Sequence, residues 1–254
     1  MGTLELLARA DSTAALPRLG GMARPNGVVI VSERFWAFAG TDGSLREGTM
    51  FQPPEICHRI PLARGLVRLA ASLGPLFRRA GVARPRERWM LLGAVIAPAG
   101  LAFVPAPWST IAGIAIVVGL LLTILRGRTL RLHGAEHRAI AACEERTLVA
   151  TWEGRAKPTR FSPRCGTNFA ALAFPVTLLA NRTPLPVAFW TPFVVLVLSL
   201  ALTMEVWRLV QARGWRLLLV PGLALQRVTT REPRIEDTQV AMRAVARVLA
   251  RELA

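Results

Sequence analysis

Lysine is almost absent from this 254-residue chain: Lys157 is the only one, so the 32 basic residues are nearly all arginine. Acidic residues number 16, which leaves a formal net charge of +16. Cysteine is scarce as well. Cys57, Cys143 and Cys165 form no C-x-x-C pair and no even-numbered framework. That argues against a disulfide scaffold and for reduced thiols facing the cytoplasm. No secretory signal is expected, because the opening MGTLELLARADSTAALPRLGG lacks a basic start, an apolar core and a cleavage site. Nor does MGTLEL carry the Ser or Thr of a myristoylation signal.

What the chain has instead is long charge-free runs. It is 52% hydrophobic with a mean hydropathy of +0.39, more apolar than an ordinary soluble domain. Residues 89–104 and 109–125 carry no charge and are separated by Pro105-Ala106-Pro107-Trp108. At about 1.5 Å per residue each covers roughly 24–26 Å, a little short of a ~30 Å hydrocarbon core. Trp89 and Trp108 suit the two interfaces, so a transmembrane hairpin is expected. A second pair follows. Residues 169–180, interrupted by Pro175, read as a thin-spanning helix or a re-entrant segment, and residues 187–206 are long enough to span.

The two turns at 105–108 and 181–186 hold a single arginine, Arg182, and the other basic residues fall in the N-terminal region, in 126–166 and towards the C-terminus. The positive-inside tendency then gives a multi-pass protein of the cytoplasmic membrane with both termini in the cytoplasm. This distribution explains the net charge without nucleic acid, for which no basic-aromatic patch argues.

Outside the spans, GVVIVSERFWAFAGTDGSLREGT alternates around Asp42-Gly43, which predicts a small sheet over about residues 27–50. In RIPLARGLVRLAASLGPLFRR, Pro61 suits a first helical turn, and Leu62, Leu66, Leu69, Leu73 and Phe77 recur at helical spacing. Flanked by Arg64, Arg68, Arg78 and Arg79, it reads as an interfacial helix or as an ordinary amphipathic one. A last amphipathic helix over about 235–253 gathers Val240, Val245, Val248 and Leu249. The expected fold is mainly α: a polytopic membrane protein of about four transmembrane helices in two hairpins. A small N-terminal cytoplasmic β-sheet and amphipathic interfacial helices accompany them. The expected divisions are a flexible 1–19, a β-hairpin and amphipathic helix over 20–88, and a transmembrane hairpin over 89–126. Next come a cytoplasmic segment 127–166, a second transmembrane hairpin 167–209, and an interfacial segment with the last helix over 210–254.

Two of the three histidines stand four apart in His133-Gly134-Ala135-Glu136-His137. On a helix both imidazoles leave one face and can share an ion, with a carboxylate beside them. Such donors suit zinc, and iron or manganese as alternatives; H-x-x-E-H is also the order used by inverted-motif zinc peptidases. A third ligand is then needed. Glu205, a carboxylate at the end of an apolar run, Glu144, seven residues beyond His137, and Cys165 are the candidates. The competing reading makes the histidines a structural polar cap and pairs Glu205 with a neighbour such as Arg208.

HGAEHRAI, SPRCGTNF and PGLALQRVTTREP, in this order and spacing, together with GGMARPNGV and RIPLARGLVRLA, closely resemble the YqhQ-like family of bacterial multi-pass membrane proteins. That family has no established activity, and metal dependence has been suggested for it. The resemblance implies that His133, Glu136, His137, Arg164, Cys165, Gly166 and Thr167 are motif positions, with Glu205 where the family has an acidic residue. Two departures stand out. Ser162 replaces a histidine before Pro-Arg-Cys, and the stretch from Asn26 to Val31 replaces a glutamate and a Met-Met-Arg run.

The function expected from all this is a metal-dependent, hydrolytic site at the cytoplasmic membrane surface. His133 and His137 would bind the metal, Glu205 or Cys165 would complete it, and Glu136 would be the general base. Arg164 would hold an anionic group of substrate, which makes an anionic lipid or another membrane-associated molecule the natural substrate. The alternative is a non-enzymatic scaffold or assembly factor that binds partner proteins or anionic lipid, itself as a monomer or a homo-oligomer.

Overall fold

The computed structural model describes residues 2–77, 81–105, 107–124, 127–180, 182 and 188–254. Its elements begin with α1 (Thr3–Asp11) and four strands, β1 (Gly20–Arg24), β2 (Gly27–Val31), β3 (Phe35–Gly40) and β4 (Leu45–Thr49). Helices α2 (Glu55–Arg59), α3 (Ala63–Phe77), α4 (Pro85–Leu101), α5 (Trp108–Ile124), α6 (Gly127–Glu145) and α7 (Leu148–Trp152) follow. The rest is α8 (Gly166–Ala180), α9 (Thr191–Arg213), α10 (Val220–Thr229) and α11 (Ile235–Glu252). The chain divides into two compact units. The first is drawn from residues 1–52, 124–164 and 225–254, the second from 53–123 and 165–224.

In the first unit the strands form an antiparallel meander in the order β1-β2-β3-β4. The turn expected at Asp42-Gly43 joins β3 to β4, with Gly43 at φ 86 and the Asp42 side chain accepting from the backbone N–H of Ser44. The sheet also holds a strand that the alternation did not predict. β1, Gly-Gly-Met-Ala-Arg, has little of the β-branched and aromatic content that marks a strand, and it forms because β2 offers it a full register from Gly20↔Val31 to Arg24↔Gly27.

Alternate residues of β2 and β3 leave opposite faces of the sheet. Val28, Ile30, Ala37 and Ala39 point into a core completed by α1, α6 and α11. Helix α11 covers the range expected for the last helix, and Val240, Val245, Val248 and Leu249 are all buried in that core. Helix α6 runs through the middle of the unit. Residues 134–140 are buried without a break, including Glu136, His137 and Arg138.

The second unit is helical. Helix α4 opens on Pro85 in its first turn, and α8 is continuous through Pro175 at about 22 Å long. Helix α9 ends where Gly214 takes the left-handed conformation that favours glycine. It runs on beyond the residue 206 expected from the apolar run. Among the described residues α9 alone is long and apolar enough to cross a membrane, by length and composition. Helix α3 starts at Ala63, later than Pro61 suggests, because Leu62 is held at φ 66. Arg78 and Arg79, Ala106 of the first turn, and residues 181 and 183–187 of the second lie outside the described residues.

Large apolar side chains of this unit face outward. Trp89, Trp108, Phe174, Leu179 and Leu217 are each at least 65% exposed. Inside, Leu172, Val210 and Leu219 form a small core, and Phe169 meets Trp207 edge to face.

Candidate functional site

The buried stretch of α6 is a line of polar groups, each tied to backbone, and Arg138 also to a side chain. His133 and His137 lie one turn apart, with ring centroids separated by 4.5 Å in a T-shaped arrangement. Nδ1 of His133 is 2.8 Å from the carbonyl oxygen of Thr229, and Nδ1 of His137 is 2.7 Å from that of Arg160. A nitrogen facing a carbonyl must carry the proton, so each neutral ring has its basic lone pair on Nε2. This is the arrangement found in metal-binding histidines, whose second nitrogen donates to a carbonyl or carboxylate. Nε2 of His137 is buried with no hydrogen-bond partner among the described residues.

Glycine in HGAEH makes the first of these contacts feasible. A Cβ on Gly134 would sit 2.2 Å from the carbonyl oxygen of Arg231, so only glycine admits the Thr229–Arg231 backbone this close to α6. The N–H of Arg231 then donates to the Leu130 carbonyl, and Arg160 reaches the Thr230 carbonyl from the other side. Arg138, one residue past His137, donates to the Pro158 carbonyl and pairs with Glu232.

Glu136 turns towards β1. Its side chain lies where a Cβ on Gly21 would need to be, 2.9 Å from its Cγ, and the N–H of Ala23 donates to it. Burial pushes the carboxyl up to about 7 against an ordinary 4.5, opposed by His133 and by the Ala23 N–H. It is therefore a carboxyl poised to exchange a proton near neutral pH.

Arg164 pairs with Glu144, which commits that glutamate to an ion pair. The two departures from the family pattern have local roles. Ser162 and Gln226 exchange two hydrogen bonds, Ser162 N–H to Oε1 at 2.9 Å and Nε2 to the Ser162 carbonyl at 2.8 Å. Asn26 receives the N–H of Thr41 on its carbonyl and Nε of Arg24 on its side chain, closing the β1–β2 turn.

Cys165 and Glu205 belong to the second unit. The Cys165 thiol accepts from the backbone N–H and the hydroxyl of Thr167. Both oxygens of Glu205 are engaged. Arg64 donates to each, at 2.8 and 2.6 Å, the N–H of Leu62 adds a third bond at 3.2 Å, and Arg208 stands 3.6 Å away. Its partners were expected from Arg208; the principal one is Arg64, 141 residues earlier.

Sequence reasoning found the histidines, Glu136 and Arg164 but missed Thr229, Arg160, Gln226 and Gly21. Thr229 and Arg160 act through carbonyl oxygens, which leave no residue-type signature.

Residues 101–251 match the family described as a protein of unknown function (DUF1385), and the chain belongs to that family. The uncharacterized protein YqhQ of Bacillus subtilis (strain 168) is 34% identical over 131 residues, 48% of this chain and 41% of that relative. The chain thus spans less than half the length of the curated relative it matches. The expected YqhQ-like family is borne out. No solved structure matches.

Proposed function

We propose that this member of the family is an integral membrane protein whose first unit holds a divalent metal on His133 and His137 and uses it hydrolytically. One observation carries the reading: two adjacent imidazoles are pinned through Nδ1 to backbone carbonyls, and the Nε2 of His137 is buried without a partner. Leaving such a nitrogen unpaired costs about 1–3 kcal/mol, which metal coordination would offset. Nitrogen donors favour zinc, with iron or manganese as alternatives. A metal there would supply an acidified water or a polarised carbonyl. Glu136, with its carboxyl near neutral pKa, has the basicity a general base needs, and Arg164 would hold an anionic group of substrate.

Membrane integration is supported by α9 and by the outward apolar side chains of the second unit, which are too many and too large for a water-facing surface. With the arginine asymmetry, this favours a multi-pass protein of the cytoplasmic membrane, both termini inside, acting on an anionic lipid or another membrane-associated substrate. A second reading rests on the same contacts: the imidazoles staple α6 to two chain segments and do nothing else, as in a scaffold.

Elemental analysis of detergent-purified protein beside a His133→Ala/His137→Ala variant separates the two. Near-stoichiometric metal, lost from a variant that keeps its helical content, supports the metal reading. Metal-free wild type after incubation with zinc, iron and manganese leaves the staple. Cys165→Ser and Glu205→Gln, measured alongside, show whether metal content depends on either residue.

A further inference from the structure

A second feature of the first unit lies along α6 from the histidines. A cavity of about 270 Å³ opens beside Cys143 and Glu144, with Arg18, Arg146 and Arg164 around it and Leu16 on its apolar side. Six residues separate His137 from Cys143, about 9 Å along the helix axis, so the cavity lies beside the histidines rather than on them, and Arg164 is the residue it shares with the proposed function.

Its charge is unbalanced. Three arginines face one carboxylate, Glu144, which Arg164 already engages. Arg146 is fixed by backbone: its guanidinium donates to the carbonyls of Ala10 and Ala14, both at 3.1 Å, with no ion pair to an acidic group among the described residues, and its backbone stands at φ 58, a conformation that disfavours side chains. Burial holds the Arg164 guanidinium below its ordinary range, and Arg18 lies close enough for its charge to add to the effect. The Cys143 thiol adds no negative charge, since burial pushes it up to about 11.

We propose that this cavity binds a phosphate group, free or as a small phosphate ester, between Arg18, Arg146 and Arg164. Guanidinium forks suit phosphate oxygens, and a doubly charged oxyanion matches the surplus of two positive charges. The volume sits just below the range of about 300–1,000 Å³ typical of small-molecule pockets, which admits a phosphate with a few further atoms. The apolar wall at Leu16 would take those atoms. Such a site does not depend on a metal at the histidines.

The test is binding to full-length protein in detergent, by calorimetry with inorganic phosphate and with glycerol phosphate, and in nanodiscs with or without phosphatidic acid. Arg18 is exposed and lies between α1 and β1, so Arg18→Ala preserves the fold. It should weaken binding at least about tenfold, the loss of one charge-assisted contact. Glu144→Gln, which removes the competing carboxylate, should tighten it. Loss of the soluble compounds in Arg18→Ala assigns the site to a free phosphate compound, and loss of phosphatidic acid assigns it to a lipid headgroup. Absence of binding in every arm, or binding unchanged by both variants, overturns the proposal.

Discussion

The carbonyl oxygen of Arg231 occupies the space beside Gly134 so closely that a methyl group there would lie 2.2 Å from it. Gly134→Ala should therefore push the Thr229–Arg231 strand of chain off α6. The offending atom is backbone, which cannot rotate away as a side chain would. The expected loss is at least about 1–3 kcal/mol in denaturant unfolding, together with reduced metal content if the histidines bind one. A variant as stable as the parent would mean that the close approach is not required.

Glu136 predicts a pH dependence with a definite sign. Its folded carboxyl is raised to about 7, so its stabilising share is complete below about 4.5 and is lost as pH climbs through 7. Across that window the unfolded chain ionises before the folded one. Metal-stripped wild type should lose up to about 3 kcal/mol relative to Glu136→Gln between pH 4.5 and 7, read from urea midpoints. Parallel curves for the two proteins would refute it.

Glu205 is expected to be an anchor of the second unit. Glu205→Gln breaks a two-pronged ion pair with Arg64 and loosens the N–H of Leu62, which is held at φ 66. The pair is partly exposed, so a double-mutant cycle with Arg64→Ala should give a favourable coupling, smaller than that of a fully buried pair. A cycle that sums to zero would show the two residues acting independently.

The proposed topology makes a labelling prediction. In a chain with Cys57, Cys143 and Cys165 changed to serine, Arg182→Cys should react with a membrane-impermeant maleimide on intact cells. Ser12→Cys should react only after lysis. The reverse pattern, or equal labelling, would remove the orientation assigned from the arginines.

Much of the helix inventory was legible because apolar runs and caps are local. Asp42-Gly43 marks a turn through its own backbone chemistry, whereas Pro85 and Gly214, which bound α4 and α9, lie outside the expected limits of 89 and 206, because helices continue past the charge-free runs. Burial of α6 was not legible. A helix with His133, Glu136, His137 and Arg138 reads as a surface element, and it is interior because those groups meet carbonyls and an N–H supplied from residues 23, 158, 160 and 229. Hydrogen bonds to backbone carry no sequence code. The same blindness hid β1, where Gly21 has no room for a side chain between the Val29 carbonyl and the Glu136 side chain. The role of GGMAR becomes visible only once α6 lies across it.

The three-segment construction of the first unit sets an order of events during synthesis. Strands β1 to β4 leave the ribosome early, and α6 follows after the apolar helices α4 and α5. Both must then wait for α8 and α9 to be made before α11 brings Val240, Met242, Val245, Val248 and Leu249 to close their core. Until that moment the sheet's inner face is only partly covered, by α1 and α6, and Thr229 has not yet arrived to hold His133. A ribosome stalled near residue 220 would leave a nascent chain with its greasy helices finished and its polar chemistry unassembled, a natural substrate for quality-control proteolysis.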